Sequence, residues 1–179
     1  VIGRPFVLAM QRGLVHVVHD HIPTQGAAIL VCNHVSFVDA ILLMAASPRP
    51  IYFIMDHRIF QVPVLGWLFK LAKAIPIASQ RDDAMVYERA FAQARQVLAE
   101  GNLLCIFPEG AITRDGQLAE FKGGIMKVLE TNPVPVVPLA LQNLWGSFFS
   151  RIDGAAMKRP FRRGLFSRVG VVAGEAVPP

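Results

Sequence analysis

The chain has only two cysteines, Cys32 and Cys105, and both fall inside apolar runs. Two such residues build no disulfide framework; they read as small buried hydrophobes and point to a reducing compartment. Long hydrophobic runs are missing too. No stretch of about 18 uninterrupted apolar residues occurs, although 53% of the residues are hydrophobic and the mean hydropathy is +0.42. The nearest candidate, 59–78, is broken by Pro63, Lys70, Lys73 and Pro76. That pattern excludes a spanning helix and fits a folded core whose surplus apolar surface rests on a membrane. Repeats, low-complexity tracts, linkers and a signal-peptide pattern are also absent, so residues 1–179 read as a single domain with 1–13 as an amphipathic lead-in. The sequence opens on Val1, as expected of a piece excised from a longer chain.

Acidic residues are scarce in one place. Residues 144–168 hold Arg151, Lys158, Arg159, Arg162, Arg163 and Arg168 against Asp153 alone, and this segment carries the whole net charge of +5. Trp145, Phe148, Phe149, Phe161 and Phe166 are interleaved with those cations. Nucleic acid can use such a mixture, but the hydrophobicity of the chain favours an anionic bilayer, so no nucleic-acid partner is expected.

Apolar runs and turn residues alternate along the rest of the chain. Strands are expected at 14–20, 27–32, 51–55, 75–77, 103–107 and 169–173, with helices at 37–46, 82–100 and 124–130. The stripe Tyr87, Ala90, Phe91, Ala94 and Leu98 has helical spacing and reads as core packing. Residues 56–74 are apolar most of the way round and suit a helix buried on one side and facing lipid or an acyl chain on the other. The run 134–141 is proline-rich for a strand and is expected to lie at a sheet edge or to be irregular. The alternation predicts an α/β fold with a mostly parallel central sheet of about seven strands flanked by helices.

Chemistry concentrates where the second strand ends, at Asn33-His34-Val35-Ser36-Phe37-Val38-Asp39. In open α/β sheets, ligands bind where strands end and helices begin. A carboxylate in the first helical turn can hold one nitrogen of His34 and leave the other free to take a proton. The same residues also fit a capping box, in which Asp39 only closes the helix N-terminus. A second stretch, Phe107-Pro108-Glu109-Gly110 followed by Thr113-Arg114-Asp115-Gly116, lies after another apolar strand. There, a backbone N–H such as that of Gly110 can face an oxyanion or phosphate, and Thr113, Arg114 and Lys122 add donors suited to phosphate. Arg114-Asp115-Gly116 alone also reads as a surface turn.

His34-x4-Asp39 early and Phe107-Pro108-Glu109-Gly110 later resemble the glycerolipid acyltransferase family, which makes phosphatidate from lysophosphatidate. The resemblance runs from about residue 15 to the C-terminus and implies that family's α/β fold. It also implies transfer of a fatty acyl group from acyl-CoA or acyl carrier protein to a lysophospholipid hydroxyl, without cofactor or metal. His34 is then the general base and Asp39 its orienter, while Glu109 and Gly110 lie at the acceptor site, with Arg81 part of a displaced substrate-binding motif. The sequence departs from the family where Ala111 and Ile112 replace a Thr-Arg pair, where Asp56-His57 replaces a lysine pair, and where Arg81 falls two positions late. Those departures leave the reaction intact and open the acceptor to lysophosphodiesters. The chain looks most like acyltransferase domains fused to membrane transporters, placing it at the cytoplasmic face of a membrane, peripheral or within a membrane-anchored longer chain.

Three other readings compete. The chain can be a non-catalytic lipid-binding module on a membrane surface. Cys32 and His34 can form the nucleophilic pair of a thioesterase or hydrolase, although such a thiol needs cationic neighbours. His16, His19 and His21 can ligate a metal, but a solvated strand end accounts for them more simply. A Gly-x-Ser-x-Gly elbow is absent, which argues against a serine acyl-enzyme.

Membrane docking by the 144–168 segment has a measurable signature. Each Lys or Arg near an anionic surface contributes about 1 kcal/mol, and at 1 M salt the Debye length falls to about 3 Å. Vesicle binding is therefore expected to need anionic lipid, to fall with salt, and to drop further when Arg159, Arg162 and Arg163 become Glu. Equal, salt-indifferent binding to neutral and anionic vesicles in a flotation assay would make the segment an ordinary solvated face.

Overall fold

The computed structural model describes residues 15–18, 20–63, 65–147, 150–152, 154 and 169–179, and only the backbone of 15–18, 65, 68 and 71. The 1–13 lead-in, His19, Val64, Phe148, Phe149, Asp153 and the cations and aromatics expected between 155 and 168 lie outside the described residues. The elements run β1 (Val15–Val18), β2 (Ala28–Cys32), α1 (Asp39–Ala46), β3 (Ile51–Asp56), a 3-10 turn (His57–Gln61) and α2 (Leu65–Leu71). They continue with β4 (Ile75–Ile77), α3 (Ala84–Ala99), β5 (Leu103–Ile106), α4 (Gly124–Leu129), β6 (Val136–Gln142) and β7 (Val169–Ala173).

The strands form a seven-stranded sheet in the order β1-β7-β6-β2-β5-β3-β4. β6, β2, β5, β3 and β4 are mutually parallel, β7 runs antiparallel to β6, and β1 pairs parallel with β7. β2 sits between β6 and β5 and is apolar along its whole length, as a strand covered on both faces must be. Its residues alternate between two cores. Ala28, Leu30 and Cys32 join α1, while Ile29 faces the layer of α3 and α4. The chain leaves β2 toward the α1 face, and Val128 of α4, which follows β5, packs on the opposite face. Neighbouring strands whose exits diverge in this way leave a crevice at their carboxyl ends.

Two expectations need correction. Residues 56–74 do not form one helix: Pro63 lacks an N–H and disfavours helix at the residue before it, and Val62 is extended with ψ 123°. α2 still divides as the composition requires, with Phe69 buried and Trp67 66% exposed, while the 3-10 turn has no fully buried residue. The proline-rich strand β6 lies inside the sheet, between β2 and β7. Pro138 is tolerated because it stands at the end of the β7 ladder: the last pair is Leu139 with Ala173, and the Pro138 carbonyl accepts from Gly174 N–H at 2.8 Å. The expected stripe on α3 is buried except for Tyr87, which is partly buried, and Val97 joins it. Asp83 caps that helix by accepting from Met85 and Val86 N–H.

At the amino edge of the parallel strands, the guanidinium of Arg49 binds three loops together. Its Nε donates to Pro23 O at 2.9 Å, Nη1 to Gly101 O at 2.9 Å, and Nη2 to Gly26 O. These carbonyls precede β2 and β5, and Arg49 itself precedes β3. Hydrogen bonds to a charged donor contribute about 1.5–3 kcal/mol each, less where water can replace the donor. Arg49→Ala is expected to cost about 2 kcal/mol and to lower Tm by roughly 4–8 °C, with low-temperature activity unchanged. A melting curve matching the wild type would show that the three carbonyls need no common donor.

Candidate active site

The loop leaving β2 is organised by one buried side chain. Asp39 is fully buried, and its Oδ2 accepts from Val35 N–H at 2.8 Å and Ser36 N–H at 3.0 Å. Ser36 Oγ donates to Asp39 Oδ1 at 2.6 Å and accepts from Val38 N–H at 3.2 Å. The ring Nδ1 of His34 lies 2.8 Å from Asp39 Oδ2. A carboxylate has no proton to give, so Nδ1 donates, and in the neutral ring the lone pair then falls on Nε2. Capping and orienting are thus one contact network, and α1 begins at Asp39 because the carboxylate holds the preceding residues in a turn. The His34 ring stacks on Phe107, with centroids 4.3 Å apart and planes 20° apart, while its side chain stays 22% exposed. A packed ring with one bare nitrogen near solvent can remove a proton from a bound hydroxyl.

Glu109 fixes the backbone beneath that ring. Its Oε1 accepts from His34 N–H at 2.7 Å and its Oε2 from Ala119 N–H at 3.0 Å. The His34 carbonyl accepts in turn from Thr113 N–H at 2.8 Å. Glu109 is 5% exposed and both its oxygens are engaged, so it positions His34 and does not serve as an open acceptor-site ligand. Gly110 sits at φ 68°, and its N–H donates to Phe107 O at 3.0 Å; the expected oxyanion donor is engaged in its own turn. A Cβ on Gly110 would strike the Lys122 side chain, whose stem folds over it.

Thr113 is buried, and its hydroxyl lies within hydrogen-bonding range of Asp115 Oδ1 and Gln117 O while accepting from Gly116 N–H. It shapes the 113–117 turn and offers nothing to a phosphate. The surface-turn reading of Asp115-Gly116 holds: the Gln117 N–H and the Thr113 hydroxyl keep the Asp115 carboxyl below its ordinary pKa, and Gly116 takes φ 83° against the Trp145 indole. Arg114 and Lys122 are exposed beside the site. Arg81 is not brought to His34. It follows β4, three strands from β2, which is about 14 Å at ~4.8 Å per strand.

Cys32 does not pair with His34 as a nucleophile. It is 1% exposed, and burial, then the Asp39 carboxylate, pushes its thiol far above the ordinary range. Asp56, where a lysine pair was expected by resemblance, is held below its ordinary pKa chiefly by the Arg58 guanidinium, at 2.6 Å from Nη2. Of the three histidines read as metal ligands, His19 lies outside the described residues and His21 is exposed.

Fold and site together define an α/β protein that holds a histidine against a buried carboxylate at the carboxyl edge of a mostly parallel sheet. The Acyltransferase family model matches residues 14–142, and the chain belongs to that family. A probable 1-acyl-sn-glycerol-3-phosphate acyltransferase of Mycoplasma pneumoniae is 31% identical over 148 residues, 78% of this chain and 54% of that protein. The 1-acyl-sn-glycerol-3-phosphate acyltransferase of Limnanthes douglasii is 34% identical over 119 residues, 66% of this chain and 42% of that protein. Among solved structures, the 1-acyl-sn-glycerophosphate acyltransferase PlsC of Thermotoga maritima superposes with a TM-score of 0.66 at 24% identity, covering 93% of this chain and 62% of that one. The chain thus spans about half the length of the curated relatives it matches.

Sequence reasoning missed three residues. Asn33 accepts from Leu141 N–H at 2.8 Å and donates to Leu141 O at 3.1 Å, clamping β6 to the loop; a partner 108 residues away leaves no local signal. Phe107 was legible, since the two-residue period of β5 puts it on the face of Leu103 and Cys105 beside β2. Arg151 was counted only as membrane charge, yet it lines a cleft with Arg114.

The Glu109 arrangement predicts an unusual intolerance. Both partners are donors, so an amide at this position must point its NH2 at an N–H. Glu109→Gln is expected to lose about 1–3 kcal/mol and to lower kcat with it. Calorimetric melting and turnover both at wild-type values would show that the carboxylate is replaceable.

Proposed function

We propose that this chain is the catalytic domain of a lysophospholipid acyltransferase that acylates lysophosphatidate at the cytoplasmic face of a membrane. The observation that carries the reading is the 2.8 Å contact between His34 Nδ1 and the buried Asp39 carboxylate, within a chain of the acyltransferase family. His34 Nε2 takes the proton of the lipid hydroxyl, and the oxygen attacks the thioester carbonyl of acyl-CoA or acyl carrier protein. The tetrahedral intermediate expels the thiolate, which recovers the proton from the His34 imidazolium. Attack is direct because neighbouring nucleophiles are unsuitable: Cys32 is buried, and Ser36 Oγ is held by Asp39 and Val38. The names of the relatives support lysophosphatidate as acceptor, with Arg114 and Lys122 beside the site as cations for its phosphate.

Lipid substrates require the site to meet a bilayer. No helix among the described residues is long and apolar enough to cross a membrane. Leu118 at 67% and Phe121 at 55% exposure lie on the loop that Glu109 anchors through Ala119. With Trp67, they offer apolar contacts for an interfacial position.

His34→Ala is expected to lower acyl transfer from a thioester to lysophosphatidate by roughly 10²–10⁴-fold, the usual contribution of a positioned base. The fold should be retained, because the ring lies at the surface end of the core. Asp39→Asn should impair transfer severely as well. Near-normal turnover by a folded His34→Ala protein would leave a lipid-binding module in place of an enzyme. Release of free fatty acid without acceptor, lost on Cys32→Ser, would make the protein a hydrolase.

A further inference from the structure

Arg114 and Arg151 line one cleft of about 340 Å3 together with Ile152 and Gly154. Each arginine is one residue removed from a backbone contact to the catalytic loop. Thr113 N–H donates to His34 O at 2.8 Å, and Arg114 follows it. Ser150 forms an isolated bridge with Ser36, and Arg151 follows it. Both anchors are firm: Thr113 and Ser150 are buried, and Ser150 Oγ donates to Ser147 O at 2.8 Å and accepts from Gly146 N–H at 3.1 Å. Arg151 Nε is directed by Gly154 O at 3.3 Å, with Gly154 at φ 90°. Among the described residues, neither guanidinium has a carboxylate within ion-pair distance, and the nearby Asp115 carboxylate accepts from Gln117 N–H and the Thr113 hydroxyl.

Two like charges sharing a cleft repel unless an anion stands between them. Guanidinium forks match phosphate oxygens, and paired forks favour the more highly charged phosphate. Near neutral pH a phosphomonoester carries about 1.5 to 2 negative charges, whereas a phosphodiester carries a single one. We propose that Arg151 and Arg114 form a two-arginine clamp for the phosphate of a phosphomonoester acceptor, and that the clamp sets the acceptor preference. The assignment rests on the acyl-transfer reading above for the identity of the acceptor. Arg114 lies inside the family match, whereas Arg151 stands beyond residue 142, where that match ends, in the segment after β6.

The test compares wild type with Arg114→Gln, Arg151→Gln and the double variant. Lysophosphatidate, lysophosphatidylethanolamine and monoacylglycerol are each presented in the same neutral detergent micelles, which removes bilayer charge as an alternative source of phosphate contacts. Arg151→Gln is expected to raise the lysophosphatidate KM roughly tenfold or more, the size of one lost charge-assisted contact, with a smaller change in kcat. The KM for monoacylglycerol and for the thioester should stay fixed, and the double variant should lose its preference for the monoester over the diester. An unchanged lysophosphatidate KM, an equal rise with monoacylglycerol, or a rise confined to the thioester would overturn the clamp. Calorimetric titration with sn-glycerol 3-phosphate, against glycerol as control, reads the cleft without turnover. Binding by wild type that is lost in Arg151→Gln supports the clamp even if no acyl transfer is found. Full acyl transfer with unaltered KM and glycerol 3-phosphate binding in the variants would sink the clamp alone.

Discussion

A single buried carboxylate governs the working end of this molecule. An ionised group with no exposure is tolerated only when hydrogen bonds replace its water, and Asp39 obtains them from Val35 N–H, Ser36 N–H, the Ser36 hydroxyl and the His34 ring. Because the donors come from the residues immediately before it, satisfying the charge forces the chain into one turn. That turn starts α1, seats its apolar face on the sheet, and fixes the tautomer of His34. A helix boundary and the orientation of the His34 ring follow from one electrostatic requirement.

Glu109 applies the same logic across strands. It is the partner that ties the β2 exit to the β5 exit, and through Ala119 it also holds the loop carrying Leu118 and Phe121. Asn33 extends the network to β6 through Leu141. Glu109 and Asn33 take as partners backbone groups that would otherwise be orphaned at strand ends. His34 therefore stands on a frame of buried backbone contacts, while Arg114 and Arg151 line a cleft on the neighbouring loops.

Local signals made much of this legible. The continuous apolar run of β2, the helical stripe on α3 and the His34-to-Asp39 spacing each depend on residues close in sequence, and the structure bears out the pairing and the layered fold. Distance-dependent features escaped. The interior place of β6 follows from Pro138 standing at the end of a ladder, which depends on where β7 stops. The roles of Glu109 and Gly110 follow from partners 75 residues away in one case and a local turn in the other. Motif resemblance located those two residues and could not say which way their polar atoms point. The family's motif places an arginine where Ile112 stands, and the structure shows Arg114 and Arg151 lining a cleft by the same loop.

The proposed reaction requires His34 to be a neutral base held by Asp39, with the proton on Nδ1 and the lone pair on Nε2. Nitrogen-15 NMR of the labelled ring in the folded protein reads this directly. The two nitrogens should report a protonated Nδ1 and a bare Nε2 at the pH of catalysis, with the Nδ1 proton in a strong hydrogen bond. A ring protonated on Nε2 with Nδ1 bare would leave the base nitrogen facing a carboxylate that has no proton to share, and would contradict the mechanism at its root.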